Sequence, residues 1–356
     1  MKKLWRSLVW LLAAPCAFAT PPLETARADS VQVLKIRASE TDPKITQADF
    51  SHYAYVDHDV LARREGAAAD RQTLLLWIPG TQPPGTSGEG PGGAGHFCEL
   101  AARLGYHAIV LKYPNDKSAT VCRRDPDPHE FERFRRALIF GGESKHLTVS
   151  RHDSIESRLV HLLQYLVRTD AAGDWGRFLT ADGAPQWEAI AVAGQSQGGG
   201  HAALIALHHR VARVICTGSP KDYSLAHDAP AAWLSLPSAT PKERFFTFNH
   251  EQDRQGCSPE QQGANLRALN LEQFGPAVDV DRAQPPYRHS RILTTNHPGT
   301  KLDSKTAHTS VMNPRHANVF TPVWRYLLTE PTDAPQAHSS TDCESESLQP
   351  ITAATR

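Results

Sequence analysis

Between residues 187 and 207 the chain reads as a strand, a very tight turn and a helix start, with no room for a loop. Trp187-Glu188-Ala189-Ile190-Ala191-Val192-Ala193 is short and mostly apolar, as a buried strand is. His201-Ala202-Ala203-Leu204-Ile205-Ala206-Leu207 has helical composition. Between them stands Gly194-Gln195-Ser196-Gln197-Gly198, a Gly-x-Ser-x-Gly pattern that average composition places by chance about 0.1 times in a chain this long. A strand that passes directly into a helix reverses at the edge of a sheet, and small residues let the two elements approach without Cβ clashes. The junction therefore demands a sheet with helices laid against it. A glycine-rich turn of this kind can also cradle a phosphate.

Further strand-like runs agree with that demand: Val31 to Arg37, His52 to Val56, Thr73 to Ile78, His107 to Tyr113, Val211 to Cys216, Phe245 to Phe248 and Arg291 to Thr295. Helical patterns alternate with the later ones. Asp153 to Val167 starts at a cap and carries Leu159, Leu162, Leu163, Leu166 and Val167 on one face. Ser258 to Phe274 and Asn318 to Leu328 also read as helices. Strands followed by strand–helix alternation predict an α/β class, a mostly parallel central sheet covered by helices on both faces. Residues 115–151 interrupt the rhythm with charged and aromatic residues (Arg123, Arg124, Phe131, Phe134, Arg135, Arg136, Phe140). They read as a cap-like insertion over the sheet, with arginines that face solvent or attract an anionic substrate. Pro83 through Gly95 reads as a long glycine-rich loop.

Lys and Arg total 38 and Asp and Glu total 38, so no net field draws the chain to nucleic acid or an anionic membrane. The start is basic (Met1-Lys2-Lys3-Leu4-Trp5-Arg6), then apolar from Leu8 to Ala14, then Ala17-Phe18-Ala19, a small-x-small cleavage pattern. This predicts a signal peptide over 1–19, a mature start near Thr20, and a periplasmic or secreted protein. The apolar run is too short for a stable membrane span, and Pro15 beside Cys16 argues against a lipid anchor. The main domain is expected over 20–330. Residues 331–356, with little to bury, are expected to be a disordered tail. In an oxidising compartment Cys98, Cys122, Cys216, Cys257 and Cys343 are odd in number. Cys216, in an apolar strand, is expected to be an inert thiol. Proximity alone suggests Cys98 with Cys122.

Ser196 is a weak nucleophile until a base takes its proton and an acid orients that base. For a serine on such a turn the expected chain order is serine, acid, histidine. Downstream, Phe245-Phe246-Thr247-Phe248 runs into Asn249-His250-Glu251-Gln252-Asp253, and the last strand leads to a loop carrying His308. Glu251, Asp253 and the earlier Asp222 are candidate acids. Among 18 histidines, His297 and His316 compete with His308. His201 falls on the helix after the serine and reads as structural, and His208-His209 as a helix end near solvent. There is no His-Glu-x-x-His and no cysteine cluster with zinc spacing, so neither a metal nor a cofactor is expected.

Four separated signals (the Gly194–Gly198 turn, the Leu74 to Gly80 strand and loop, the acid loop and the late histidine) make the chain resemble an α/β-hydrolase-fold serine hydrolase of the esterase and lipase type over most of residues 30–330. Members often read strand-Gly-Glu-x-Asp at the acid, similar to His250-Glu251-Gln252-Asp253, which implies Asp253. They often carry His at the first x of the serine motif, where this chain has Gln195. The oxyanion donors implied are the backbone amides of Gln197 and of Thr81, since Pro79-Gly80-Thr81 is similar to the common His-Gly-x. The resemblance implies an exported enzyme that cleaves an ester or related acyl bond of a small-molecule or polymeric substrate through Ser196, His308 and Asp253. The same machinery serves amides and peptides, and a noncatalytic binding protein on the same fold is the remaining alternative.

Overall fold

A computed structural model describes residues 30–63, 72–82, 88–299 and 301–332. The expected signal peptide, Cys343 and all but the first two residues of the expected tail lie outside the described residues. Among those described, nine strands form one sheet. They are β1 (Val31–Arg37), β2 (Ser51–Asp57), β3 (Leu74–Ile78), β4 (His107–Val110), β5 (Ile190–Gln195), β6 (Arg213–Thr217), β7 (Phe245–His250), β8 (Val278–Asp279) and β9 (Ile292–Thr295). Their order is β1-β2-β4-β3-β5-β6-β7-β9-β8. β2 runs antiparallel to β1 and β4, and the remaining pairs are parallel.

β3 (LLLWI) and β5 from Ile190 to Ala193 are apolar because both of their faces are covered. Side chains alternate across the sheet: Leu74, Leu76, Ile78, Ile190 and Val192 enter one core, while Leu75, Trp77, Ala191 and Ala193 enter the other. Helices α2 (Glu130–Phe140), α3 (Ile155–Thr169) and α4 (Gln197–His208) pack into the first core, together with the end of α5 (Pro259–Ala268). Helices α1 (Ala94–Arg103) and α7 (Ala317–Thr329) pack into the second. This is the α/β-hydrolase fold. Among the described residues no helix is long and apolar enough to cross a membrane.

Three local differences from the sequence expectation have physical causes. The cap of α3 is Ser154, whose side chain accepts from the Ser157 amide. Asp153 is buried one residue earlier, where it accepts from the amides of Thr46 and Gln47 at 3.0 and 2.9 Å and pairs with Arg158 at 3.0 Å. The glycine-rich run does not extend as a loop to Gly95: α1 begins at Ala94, held by Phe97, Cys98, Ala101 and Ala102 buried on one face. Phe97 sits between Trp77 and Trp324, with ring centroids at 5.2 and 6.4 Å.

The third difference concerns the cysteines. Cys98 and Cys122 do not pair: they lie in different cores, and Cys98, Cys122, Cys216 and Cys257 are all free and buried. Burial pushes the thiol of Cys216 up to about 12 and that of Cys257 to about 11. A buried protonated thiol is a poor nucleophile. These four cysteines should stay unmodified by iodoacetamide in folded protein and all become alkylated in denaturant without reductant, as mapped by peptide mass spectrometry. A modification at Cys98 or Cys122 that required reductant would contradict the arrangement.

Candidate active site

Ser196 links β5 to α4 with φ 56° and ψ −120°. That is an unfavourable conformation for an L-residue, and such strain persists only where surrounding contacts impose it. β5 lies between β3 and β6, with Gly194 opposite Ile78 and Cys216. The Ser196 amide donates to the Thr217 carbonyl at 2.8 Å, which fixes the turn to β6. The glycines answer to packing: a Cβ on Gly198 would stand 1.9 Å from the Ile78 carbonyl oxygen, and one on Gly194 would stand 2.4 Å from Gly198.

Ser196 opens into a cavity of about 390 Å³ lined by Gly80, Thr81, Gln82, Gln195, His308 and Thr309. His308 sits on a short helix, α6 (Ser304–Ser310), rather than in the loop expected from sequence. Asp303 forms that helix by accepting from the amides of Lys305 and Thr306, each at 3.0 Å. His308 Nδ1 lies 2.7 Å from Asp253 Oδ2. An ionised carboxylate only accepts, so Nδ1 carries the proton and Nε2 is left as the acceptor. Gln195, standing where the resemblance would place histidine, donates from Nε2 to the His308 carbonyl at 3.2 Å.

Asp253 is fully buried. Burial alone would raise its carboxyl, but the His308 hydrogen bond and charge, with those of Lys221, hold it below the usual carboxylate range. Oδ1 accepts from the Gln255 amide at 2.9 Å, and Oδ2 also receives the Lys221 ammonium at 2.9 Å. The competing acids are engaged elsewhere. Exposed Glu251 accepts from Thr294 and Asn296, and Asp222 is paired with Arg135. His297 and His316 contact each other at 3.3 Å beside Phe320.

Gln197 and Thr81 meet directly: Thr81 Oγ1 donates to Gln197 Oε1 at 3.1 Å. The same Oε1 accepts from the Ala119 amide at 2.7 Å, while Gln197 Nε2 donates to the Lys117 carbonyl at 3.1 Å. One side chain thus ties the serine turn to the Thr81 loop and to the 115–151 segment. The Gln197 amide belongs to the first turn of α4, whose amides have no carbonyl partner within the helix.

Two residues with a hold on this site escaped sequence reasoning. Arg135, expected among solvent- or substrate-facing arginines, is buried beneath α4. It binds Asp222 through Nε and Nη2 at 2.5 and 2.6 Å and donates from Nη1 to the Gln197 carbonyl at 2.8 Å. The signal was its register: Phe131, Phe134 and Leu138 share its helix face and are buried. Lys221 is the second, in the loop after β6. His201, expected to be structural, is buried with Nδ1 3.3 Å from Arg135 Nη1; burial and then the guanidinium hold its imidazole well below the usual range.

No family model matches the sequence, and no curated protein matches it. Among solved structures 214 chains match. One is described as "a putative dipeptidyl aminopeptidase IV from Bacteroides ovatus", 13% identical with a TM-score of 0.39, aligned over 84% of this chain and 35% of that one. This chain therefore spans 35% of the length of that structure. The fold rests on its own strand order and register, to which a likeness of that degree adds nothing. A larger cavity of about 610 Å³, lined in part by Asn249, Gln262, Leu266 and Ile292, includes none of Ser196, Asp253 or His308 in its wall.

Proposed function

We propose that this protein is a serine hydrolase that opens an ester or related acyl bond through an acyl-enzyme on Ser196. One observation carries the reading: a serine held in a strained turn faces the same cavity as a histidine whose far ring nitrogen is bound to a buried carboxylate. In this reading Ser196 Oγ attacks the acyl carbon while His308 Nε2 takes its proton. Asp253 holds the tautomer and stabilises the imidazolium that forms. The amides of Gln197 and Thr81 donate to the oxyanion, aided by the positive end of α4. His308 then returns the proton to the leaving group, and water releases the acyl group by the same route. The steps need no metal or cofactor.

A cavity of about 390 Å³ suits a short acyl group carried by a small molecule or by the exposed end of a polymer. The test is a series of p-nitrophenyl acyl esters of increasing chain length beside peptide p-nitroanilides. Turnover of short esters, lost in Ser196→Ala, is expected; turnover of peptides alone would move the reading to an amide hydrolase. Export belongs to the same proposal and rests on the pattern of residues 1–19. The intact mass of protein expressed with its leader should correspond to a start near Thr20. A mass retaining those residues would contradict export by cleavage.

A further inference from the structure

Lys221 is a buried cation placed where a charge acts on the proposed triad. Its Nζ lies 2.9 Å from Asp253 Oδ2, the same oxygen that His308 Nδ1 approaches at 2.7 Å. The ammonium is held from behind: it donates to Gln262 Oε1 at 2.8 Å, and Gln262 Nε2 donates to Asn249 Oδ1 at 2.6 Å. Asn249 Oδ1 is fixed in turn by the Ser219 amide at 3.0 Å. The loop that carries Lys221 also runs along the histidine ring, since a Cβ on Gly218 would stand 3.2 Å from His308 Nδ1 and Cε1.

We infer that Lys221 is a positioning residue that sets the pH range over which His308 serves as base, by sharing Asp253 Oδ2 with it. This rests on the reading of Ser196, His308 and Asp253 as a triad. An imidazolium is stabilised by the carboxylate beside it and destabilised by a nearby cation. Lys221 partly neutralises Asp253 and repels the charged ring, so its removal should let the ring hold its proton to higher pH. After His308, the same ammonium helps hold the buried Asp253 below the usual carboxylate range. The other titratable groups near the pair are Cys257, on which Lys221, Asp253, Asp222 and Arg123 all act, and His250 at the end of β7, on which Asp253, Asp281 and Glu251 act. Loss of Lys221 would only push the Cys257 thiol further up, which leaves it uncharged.

The experiment uses the full mature chain and two readouts: the pH dependence of Ser196 labelling by a fluorophosphonate, and the ring titration of His308 followed by NMR. In Lys221→Gln and in Lys221→Met, which both remove the charge, the acidic midpoint should move up by about one unit or more. The plateau rate should change far less than it does in Asp253→Asn. Lys221→Arg, which keeps the charge, should restore the wild-type midpoint. An unchanged midpoint in folded Lys221→Gln overturns the inference, and so does a shift that Lys221→Arg does not reverse. If neither neutral variant folds while Lys221→Arg folds with a wild-type midpoint, the lysine is structural and the inference also falls. An unlabelled wild-type serine together with a shifted His308 titration would instead refute the triad reading and leave the Lys221 coupling standing.

Discussion

Asp253→Asn is expected to lower kcat on an active ester by up to ~10⁴-fold with little change in KM. An amide at this position can present an N–H to His308 Nδ1 and so favour the wrong tautomer, with the proton on Nε2. It also leaves the imidazolium without a counter-charge in a buried setting. Asp253 does not line the cavity that Ser196 and Thr81 face, so binding should be spared. Glu251→Gln is the matched control. Its carboxylate is exposed and bonded to Thr294 and Asn296, so kcat should stay near wild type. Steady-state kinetics on one p-nitrophenyl ester decides between them; a collapse in Glu251→Gln with activity kept in Asp253→Asn would move the acid.

Arg135→Met should produce the largest loss of stability, about 3–5 kcal/mol, because removing one partner of a buried ion pair strands the other. Among the described residues, the Asp222 carboxylate would keep only the Trp233 indole donor at 2.8 Å. The Gln197 carbonyl would also lose its guanidinium contact at the base of the serine turn. The double variant Arg135→Met/Asp222→Leu removes both charges of this pair and should recover much of the loss. Urea unfolding with the slope held common measures both. A single variant within about 0.5 kcal/mol of wild type, the ordinary range for a solvated surface residue, would show that Arg135 is not buried as described.

The parts of this molecule that were legible in the sequence share a cause: their signal is local. β3 and the Ile190-to-Ala193 stretch of β5 declare themselves because both faces are covered and favour apolar residues. Ser196 declares itself because the strand-to-helix turn requires small neighbours within two residues. His308 and Asp253 were reachable because chain order along a parallel sheet fixes which loops meet at its edge. What was missed is charge whose partner lies far along the chain. Arg135 reads as a solvent- or substrate-facing arginine, Asp222 and Asp253 as candidate acids without visible partners, and Lys221 carries no signal at all; only the fold makes them buried pairs. The cysteines failed in the opposite direction: Cys98 and Cys122 are near in sequence, yet the sheet stands between their cores. α1 was hidden behind glycines that belong to the preceding turn, and His308 gained a helix because Asp303 supplies the cap.

The central claim is that Ser196 is a nucleophile activated by His308. Treating the folded protein with an active-site fluorophosphonate and mapping the adduct by peptide mass spectrometry tests it most directly. One phosphonyl group per chain, on the peptide containing Ser196, absent in Ser196→Ala and strongly slowed in His308→Ala, is the predicted result. An unmodified Ser196 in folded wild-type protein, or an adduct that forms equally well without His308, would contradict it.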